Sequence, residues 1–414
     1  MINEKRLLLI LAAIQFCHII DFMIIMPLGK TIMALFSISP QQFAWLVSAY
    51  AGAALVGNLI SAAFIDRFDR RTALLFLFVG FTVGTLACAF APSYEWLLFL
   101  RASTGLFGGT LSALVLAIVG DVIPLERRAS AMGWVMTAFS VASVVGVPSG
   151  IWIASEYSWN SPFIVTAAIS TIFVVMGYFS IPSLKGHLAG TQVQGGDKRA
   201  GKPALLSEPK TGLRAVVDPF VRILSDSNQR AALAFSFALM LGHFTVIPFI
   251  APYMQINIGF GDKQVSLIYL VGGLLTVVLL PFFGKMADRY GRMRIFTGAS
   301  VFALVSIYIL TNLDTDSIVI GLLATSSFFV VASGRNVPAT TMITSVVRPE
   351  NRGGFMNIRQ SVNELALFLS TLVAGFIVTE DAGGKLIGYE YLGYFTIFMS
   401  VVAVYAASRL RAVA

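Results

Sequence analysis

Ionisable residues stand inside stretches that are otherwise apolar, among them His18, Asp21, Arg101, Arg335 and Glu364. A charge surrounded by hydrocarbon is costly, and it persists mainly where protons, ions or charged ligands must be handled. His18 and Asp21 are three positions apart, the spacing that puts two side chains on one helical face. They could therefore share a proton whose affinity each tunes for the other. Arg335 lies 13 residues before Arg348, and Glu364 lies 12 after Arg352. Counted along neighbouring helices, these separations put both residues at one depth, where each is expected to neutralise the other. Arg101 falls near the outer end of its stretch, where anchoring at a membrane interface competes with a buried role. His243, with apolar residues around it, is read as packing or hydrogen bonding.

Other chemistry is poorly supplied. Three histidines and two cysteines cannot build a metal cluster or a nucleophile with its base, so neither an enzyme nor a cofactor protein is expected. Cys17 and Cys88 both sit in apolar runs and read as core packing. The stretch Gly196–Lys202 has the glycine and lysine skeleton of a phosphate loop. Pro203 follows where Ser or Thr is required, and no strand precedes it.

The elements that must carry these residues are membrane helices. With 57% hydrophobic and 12% charged residues over 414 positions, the chain has more apolar surface than a soluble core can hide. Spanning a bilayer takes about 20 apolar residues. Twelve such stretches occur, near 7–29, 43–65, 72–91, 96–120, 131–154 and 162–182, then 231–253, 265–287, 295–312, 317–346, 356–379 and 390–408. Residues 183–230 are polar, which divides the chain into a first half (1–182), a linker (183–230) and a second half (231–414). Within the linker, "LRAVVDPFVRIL" has the pattern of a short helix lying on the membrane surface. The first stretch is long, carries His18 and Asp21 and lacks a cleavage pattern, so it is read as a retained span. Asp21 lies 15 residues after Arg6, about 22 Å along a helix and past the middle of the span.

Basic residues orient the chain. Of 29 lysines and arginines, Lys30, Lys263 and Lys385 fall in alternate loops, Arg101 and Arg335 fall within spans, and the remaining 24, Arg359 among them, are assigned to loops and ends on one side. The positive-inside rule puts that side, with both termini, in the cytoplasm. The net charge of +8 is then topological and no sign of a nucleic-acid partner.

The halves repeat. "SAAFIDRFDRR" (61–71) returns as "GKMADRYGRMR" (284–294), with Asp66 and Asp288 separated by 222 positions. "PLERRASAM" and "PENRGGFM" place Met132 and Met356 224 apart, and His18 and His243 are 225 apart. Six spans separate the copies, so both halves enter the membrane in the same sense, as parallel repeats. A carboxylate at the end of a span can dock on the positive N-terminal end of another helix. An arginine one turn later can reach an acid on a neighbouring span.

These features resemble the major facilitator superfamily of transporters over essentially the whole chain. The family's loop motif is matched by Gly284, Asp288, Arg289, Gly291 and Arg292; the first copy keeps Asp66, Arg67, Arg70 and Arg71 but has Ala62 and Asp69 where glycines are usual. Arg101 with Gly105 resembles the fourth-span pattern tied to proton coupling in relatives, and Asp21 occupies the place of an acid before "MP". "GVPSG", with Gly146, Pro148 and Gly150, resembles the antiporter motif of bacterial arabinose and chloramphenicol efflux permeases. The resemblance implies that Asp66 meets the start of span eleven and that Arg70 meets Asp121, a latch for the inside-closed state. The second copy has Arg292 but Val346 in place of the acid, and is expected to latch less strongly.

The sequence reading is therefore an all-α membrane protein of twelve transmembrane helices in two six-helix parallel repeats. It is expected to be a monomeric, proton-coupled exporter of small lipophilic or amphipathic compounds in a bacterial cytoplasmic membrane. A permease for a sugar or other metabolite is the alternative; a membrane enzyme and a transport-inactive sensor are weaker ones. The expected partners are a small-molecule substrate, protons and the lipid bilayer. A reporter fused after Gly196 should be cytoplasmic and one inserted near Asp314 should be outside; reporter activity on the opposite sides would overturn the orientation.

Overall fold

The computed structural model describes residues 4–64, 68–184, 221, 223–347 and 352–411. Among them, twelve helices are long and apolar enough to cross a membrane. The first six spans are the helices Glu4–Ile24, Pro40–Phe64, Arg70–Cys88, Tyr94–Val122, the composite Leu125–Glu156 and Ser161–Ser180. Spans seven to twelve are Ser227–Ile256, Asp262–Tyr290, Arg292–Thr311, Ile318–Thr344, Arg352–Ile377 and Tyr389–Ser408. Span seven starts four residues before its apolar run because Asp226 caps it, accepting from the backbone N–H of Asn228 and Gln229. Two elements add to the sequence reading: a short helix, Gly29–Phe36, in the loop after span one, and a two-stranded antiparallel ribbon, Thr379–Glu380 with Leu386–Ile387, before span twelve. Asp66, the linker with its expected surface helix, and residues 348–351 before span eleven lie outside the described residues.

Span five is not one uniform helix. Five residues, Ala142–Gly146, form a π turn between the α-helical segments Leu125–Val141 and Val147–Glu156. Pro148 follows directly; it has no N–H to donate and its ring crowds the preceding turn. A π turn widens the helix by one residue and frees carbonyls from the regular ladder. The Pro148 carbonyl also accepts from Ser266 Oγ of span eight at 3.0 Å. Gly146 and Gly150 let span one lie close: a Cβ on Gly146 would sit 2.5 Å from Ile20 Cδ1, and one on Gly150 would strike Ile24 Cδ1.

The distribution of cores shows how the halves are joined. At the end of the bundle opposite the Asp-Arg turns, one core contains side chains of both halves, including Ile25, Phe43, Phe249 and Met254. There the Phe43 and Phe249 rings meet edge to face at 5.9 Å. At the end carrying the turns, each half has its own core. Leu7, Phe78 and Val119 belong to one; Phe235, Phe296 and Val346 belong to the other. Among the described residues, the halves thus share a core at one end and have separate cores at the other.

The two loop copies differ in how they turn. Gly291 adopts φ +96°, a conformation that disfavours any side chain, so its glycine is required. Asp69, in the matching place, has φ −56° and needs no glycine. Its carboxylate accepts from the backbone N–H of Arg71 and of Leu184, at 3.0 and 2.7 Å, and from Ser183 Oγ at 2.6 Å. The aspartate thus caps span three and ties it to the chain leaving span six. Asp69→Ala should lower the thermal midpoint in detergent, as loss of a cap costs about 1 kcal/mol or more, whereas Asp288→Ala, at an exposed site, should leave it nearly unchanged.

Candidate transport cavity and coupling centre

Asp21 and Arg101 meet in the interior of the first half. Arg101 Nη1 donates to Asp21 Oδ2 at 2.9 Å and to the Asp21 carbonyl at 3.3 Å, and both side chains are wholly inaccessible. The guanidinium also lies over the Tyr50 ring, 4.5 Å from its centroid, an arrangement favourable to a desolvated cation. Spans two and four approach closely enough for this because Gly105 has no side chain; a Cβ there would strike the Tyr50 carbonyl. Arg101 Nε and Nη2, Asp21 Oδ1 and the Tyr50 hydroxyl make no further hydrogen bonds. The site is an ion pair with spare polar valence.

This geometry bears on two expectations. Of the two roles left open for Arg101, the buried one is what the packing gives, against span one. The carboxylate of Asp21 is bonded to Arg101 of span four, and no hydrogen bond joins it to His18 among the described residues. The His18 ring lies instead beside Tyr50 and Phe81, at centroid distances of 6.1 and 6.2 Å, with Nδ1 unbonded.

The expected pair in the second half does not form either. Arg335, 1% exposed, donates from Nη1 to Ser400 Oγ of span twelve at 2.9 Å, while its Nε and Nη2 have no acceptor. Glu364, half-buried, accepts from Gln360 Nε2 at 2.8 Å. Equal depth along two spans did not bring the side chains together, because span seven packs against both spans ten and eleven and Arg335 turns toward span twelve. Arg359 is a further correction. It is no loop residue: span eleven begins at Arg352, so Arg359 enters the bundle two turns later and is 8% exposed. It donates from Nε to Ser236 Oγ at 3.0 Å and from Nη2 to Thr340 Oγ1 at 3.3 Å.

A cavity of about 520 Å³ lies between the halves. Phe22 and Met23 of span one and Phe139 of span five form one wall; Phe244, Tyr269 and Phe329 of spans seven, eight and ten form much of the other. Span ten also contributes a polar edge with Asn336 and Thr340. His243 reaches the cavity as well, its ring stacked on Phe328 at 5.9 Å. Phe22 links the two features. It follows Asp21 in the chain, lies 5.4 Å from the Tyr50 ring and 6.5 Å from Phe244 across the cavity.

At the end with separate cores, Arg70 Nε donates to Asp121 Oδ2 at 2.9 Å. That pair joins spans three and four within the first half. Asp288 and Arg292 are exposed and form no ion pair among the described residues.

The family model described as Major Facilitator Superfamily matches residues 11–226 and 232–413. The chain belongs to the Major Facilitator Superfamily. It is thus an integral membrane protein of a transporter family rather than an enzyme. The chain is 25% identical over 347 residues to the uncharacterized MFS-type transporter YhcA of Bacillus subtilis, spanning 76% of this chain and 65% of YhcA. It is 33% identical over 137 residues to the inner membrane transport protein YdhP of Escherichia coli, covering 33% of this chain and 35% of YdhP. The chain therefore spans less than two thirds of either relative. Among solved structures, a D-xylose-proton symporter superposes with TM-score 0.72 at 14% identity, covering 96% of this chain and 97% of that one. A bacterial homologue of the human lysosomal transporter Spinster, inward-facing and unoccupied, gives 0.72 at 15% identity, covering 98% and 95%. At such identity the likeness is one of fold.

Tyr50, Arg359 and Thr340 were not legible as site residues. Each is a common residue in or beside a span, and only the packing of separate helices gives it a partner. Breaking a buried pair strands a charge and costs about 3 to 5 kcal/mol. Asp21→Asn and Arg101→Gln should therefore each lower the yield of folded protein, and the double variant should recover it. Arg335→Ala and Glu364→Ala, which do not touch, should combine additively; a fluorescence size-exclusion profile of each variant reads both results.

Proposed function

We propose that this member of the superfamily is a proton-coupled secondary transporter that exports small lipophilic or amphipathic molecules across a bacterial cytoplasmic membrane. The observation that carries the proposal is the buried Asp21–Arg101 pair standing directly behind Phe22, a wall of the central cavity. In a low-dielectric interior the attraction between the two charges is strong. Protonation of the Asp21 carboxylate removes its negative charge, leaving Arg101 held by the Tyr50 ring and free to find other acceptors. Span one, which carries both Asp21 and Phe22, then loses its main electrostatic tie to span four. Proton occupancy and the shape of the cavity wall are thereby linked through one helix.

Alternating access follows from the split cores. With the Asp-Arg turns on the cytoplasmic side, the split cores support a reading of the state as open inward and closed outward. Rocking the halves about the shared outer core would close the inner ends, where Asp66 and the start of span eleven would meet. Arg70 and Asp121 would hold the first half's end rigid for that contact, with Asp288 and Arg292 as a weaker second latch. The π turn at Ala142–Gly146, with Pro148 and the close packing of Gly146 and Gly150 on span one, would let span five flex beside the cavity. Aromatic side chains on both walls support a lipophilic cargo over a sugar, whose hydroxyls would need a denser set of polar partners.

In proteoliposomes, an imposed pH gradient should drive movement of lipophilic dyes, and Asp21→Asn should abolish the gradient-driven component while leaving dye binding. Wild-type rates in that variant across roughly pH 6 to 8, the range around the unperturbed histidine value, would remove Asp21 from coupling.

A further inference from the structure

Two buried guanidinium groups stand behind the second half's side of the cavity, and neither has a carboxylate partner among the described residues. Arg359 reaches Thr340, whose side chain lines the cavity. Arg335 immediately precedes Asn336, another lining residue, and has two nitrogens without an acceptor. The acids nearby do not offset both. Asp21 is engaged by Arg101 within the first half, and Glu364 is bonded to Gln360 and stands outside the lining. Among the described residues, no carboxylate lines the cavity. A desolvated cation without a counterion is costly, and its field extends through low-dielectric protein to the cavity beyond.

Thr340 gives that field a point of contact. A hydroxyl has one proton to donate and lone pairs to accept with. Thr340 Oγ1 accepts from Arg359 Nη2, and it makes no other hydrogen bond among the described residues. Its proton is thus available to the cavity, and the guanidinium behind it strengthens the O–H as a donor. Other lining hydroxyls are arranged differently. Those of Ser143, Thr276 and Thr341 donate to carbonyls of their own helices, and those of Ser140, Ser333 and Tyr269, which have no acceptor among the described residues, have no guanidinium bonded behind them. Thr340 is the lining hydroxyl with a cation at its back and a proton in front, which suits an anionic acceptor.

We propose that the cavity takes amphipathic organic anions, with a carboxylate or similar acidic group accepted at Thr340 in the field of Arg359 and Arg335 and the apolar body against Phe22, Phe244 and Phe329. This rests on the cavity being the transport site. The aromatic faces alone would also suit an organic cation, but two uncompensated guanidiniums behind one wall oppose it. The acidic group completes the charge balance of the second half only while it is bound.

The test uses three probes that share a fluorophore: N-dansyl-6-aminohexanoate, its uncharged primary amide, and dansylcadaverine, which is cationic. Binding to the purified full-length protein in detergent is followed by dansyl emission. The carboxylate should bind at least about tenfold tighter than the amide, a difference of about 1.4 kcal/mol, and the amine should bind weakest. Arg359→Gln and Thr340→Val should remove the preference for the carboxylate while leaving amide binding in place. The valine keeps the shape of the threonine, so that variant remains informative if loss of the arginine prevents folding. Equal binding of the three, a preference for the amine, or an undiminished carboxylate preference in Thr340→Val would overturn the proposal alone. Failure of all three probes to bind would overturn the cavity as a transport site, and this proposal with it.

Discussion

The cost of placing charge in hydrocarbon governs this molecule. Every ionised side chain that enters the bundle must be neutralised by an opposite charge, by hydrogen bonds, or by a ligand that arrives later. In the first half the first solution is used. Asp21 and Arg101 cancel one another, the Tyr50 ring takes up the remaining face of the guanidinium, and spans one, two and four are drawn together around them. That convergence fixes Phe22 at the cavity and leaves the histidine of span one among aromatic rings. The position of the cavity wall is in this sense set by an ion pair that the cavity itself does not expose.

The second half uses weaker means. Arg335 has one serine and Arg359 has a serine and a threonine, all neutral hydroxyls. The duplicated chain has thus come to hold its charges in two ways. One half carries a closed pair of opposite charges; the other carries cations without a carboxylate partner among the described residues. Both face the same cavity from opposite sides. A protein that moves a solute against a gradient needs states whose energies respond to what is bound, and unequal halves supply that more readily than identical ones.

The same asymmetry appears where the cores are separate. In the first loop copy Asp69 is bonded to the chain leaving span six and Arg70 to Asp121. The second turns on Gly291, a residue with no side chain to anchor it, and its charges are exposed. The merged core at the opposite end, with Phe43 on Phe249, provides the contact about which the two halves can rock. Span five, interrupted by its π turn, lies between that contact and the cavity and is bonded across to span eight through the Pro148 carbonyl and Ser266.

The twelve spans, the duplication and the membrane were legible in the sequence, because each rests on local composition: twenty apolar residues must bury their backbone polar groups in a helix wherever they occur. The motif residues were legible for the same reason, as types at fixed local spacings. The identities of charge partners were not. His18 and Asp21 share a face of one helix, yet the partner of Asp21 comes from 80 positions away; Arg335 and Glu364 share a depth, yet lie on helices that do not bring them together. Arg359, counted as a loop charge although it stands at the edge of an apolar run, is a buried one because its helix begins at Arg352, about one turn before that run. Sequence spacing fixes a residue's height and face on its own helix. Which neighbouring helix supplies the counter-charge depends on rotation and packing among helices distant in the chain, and that only the tertiary structure decided.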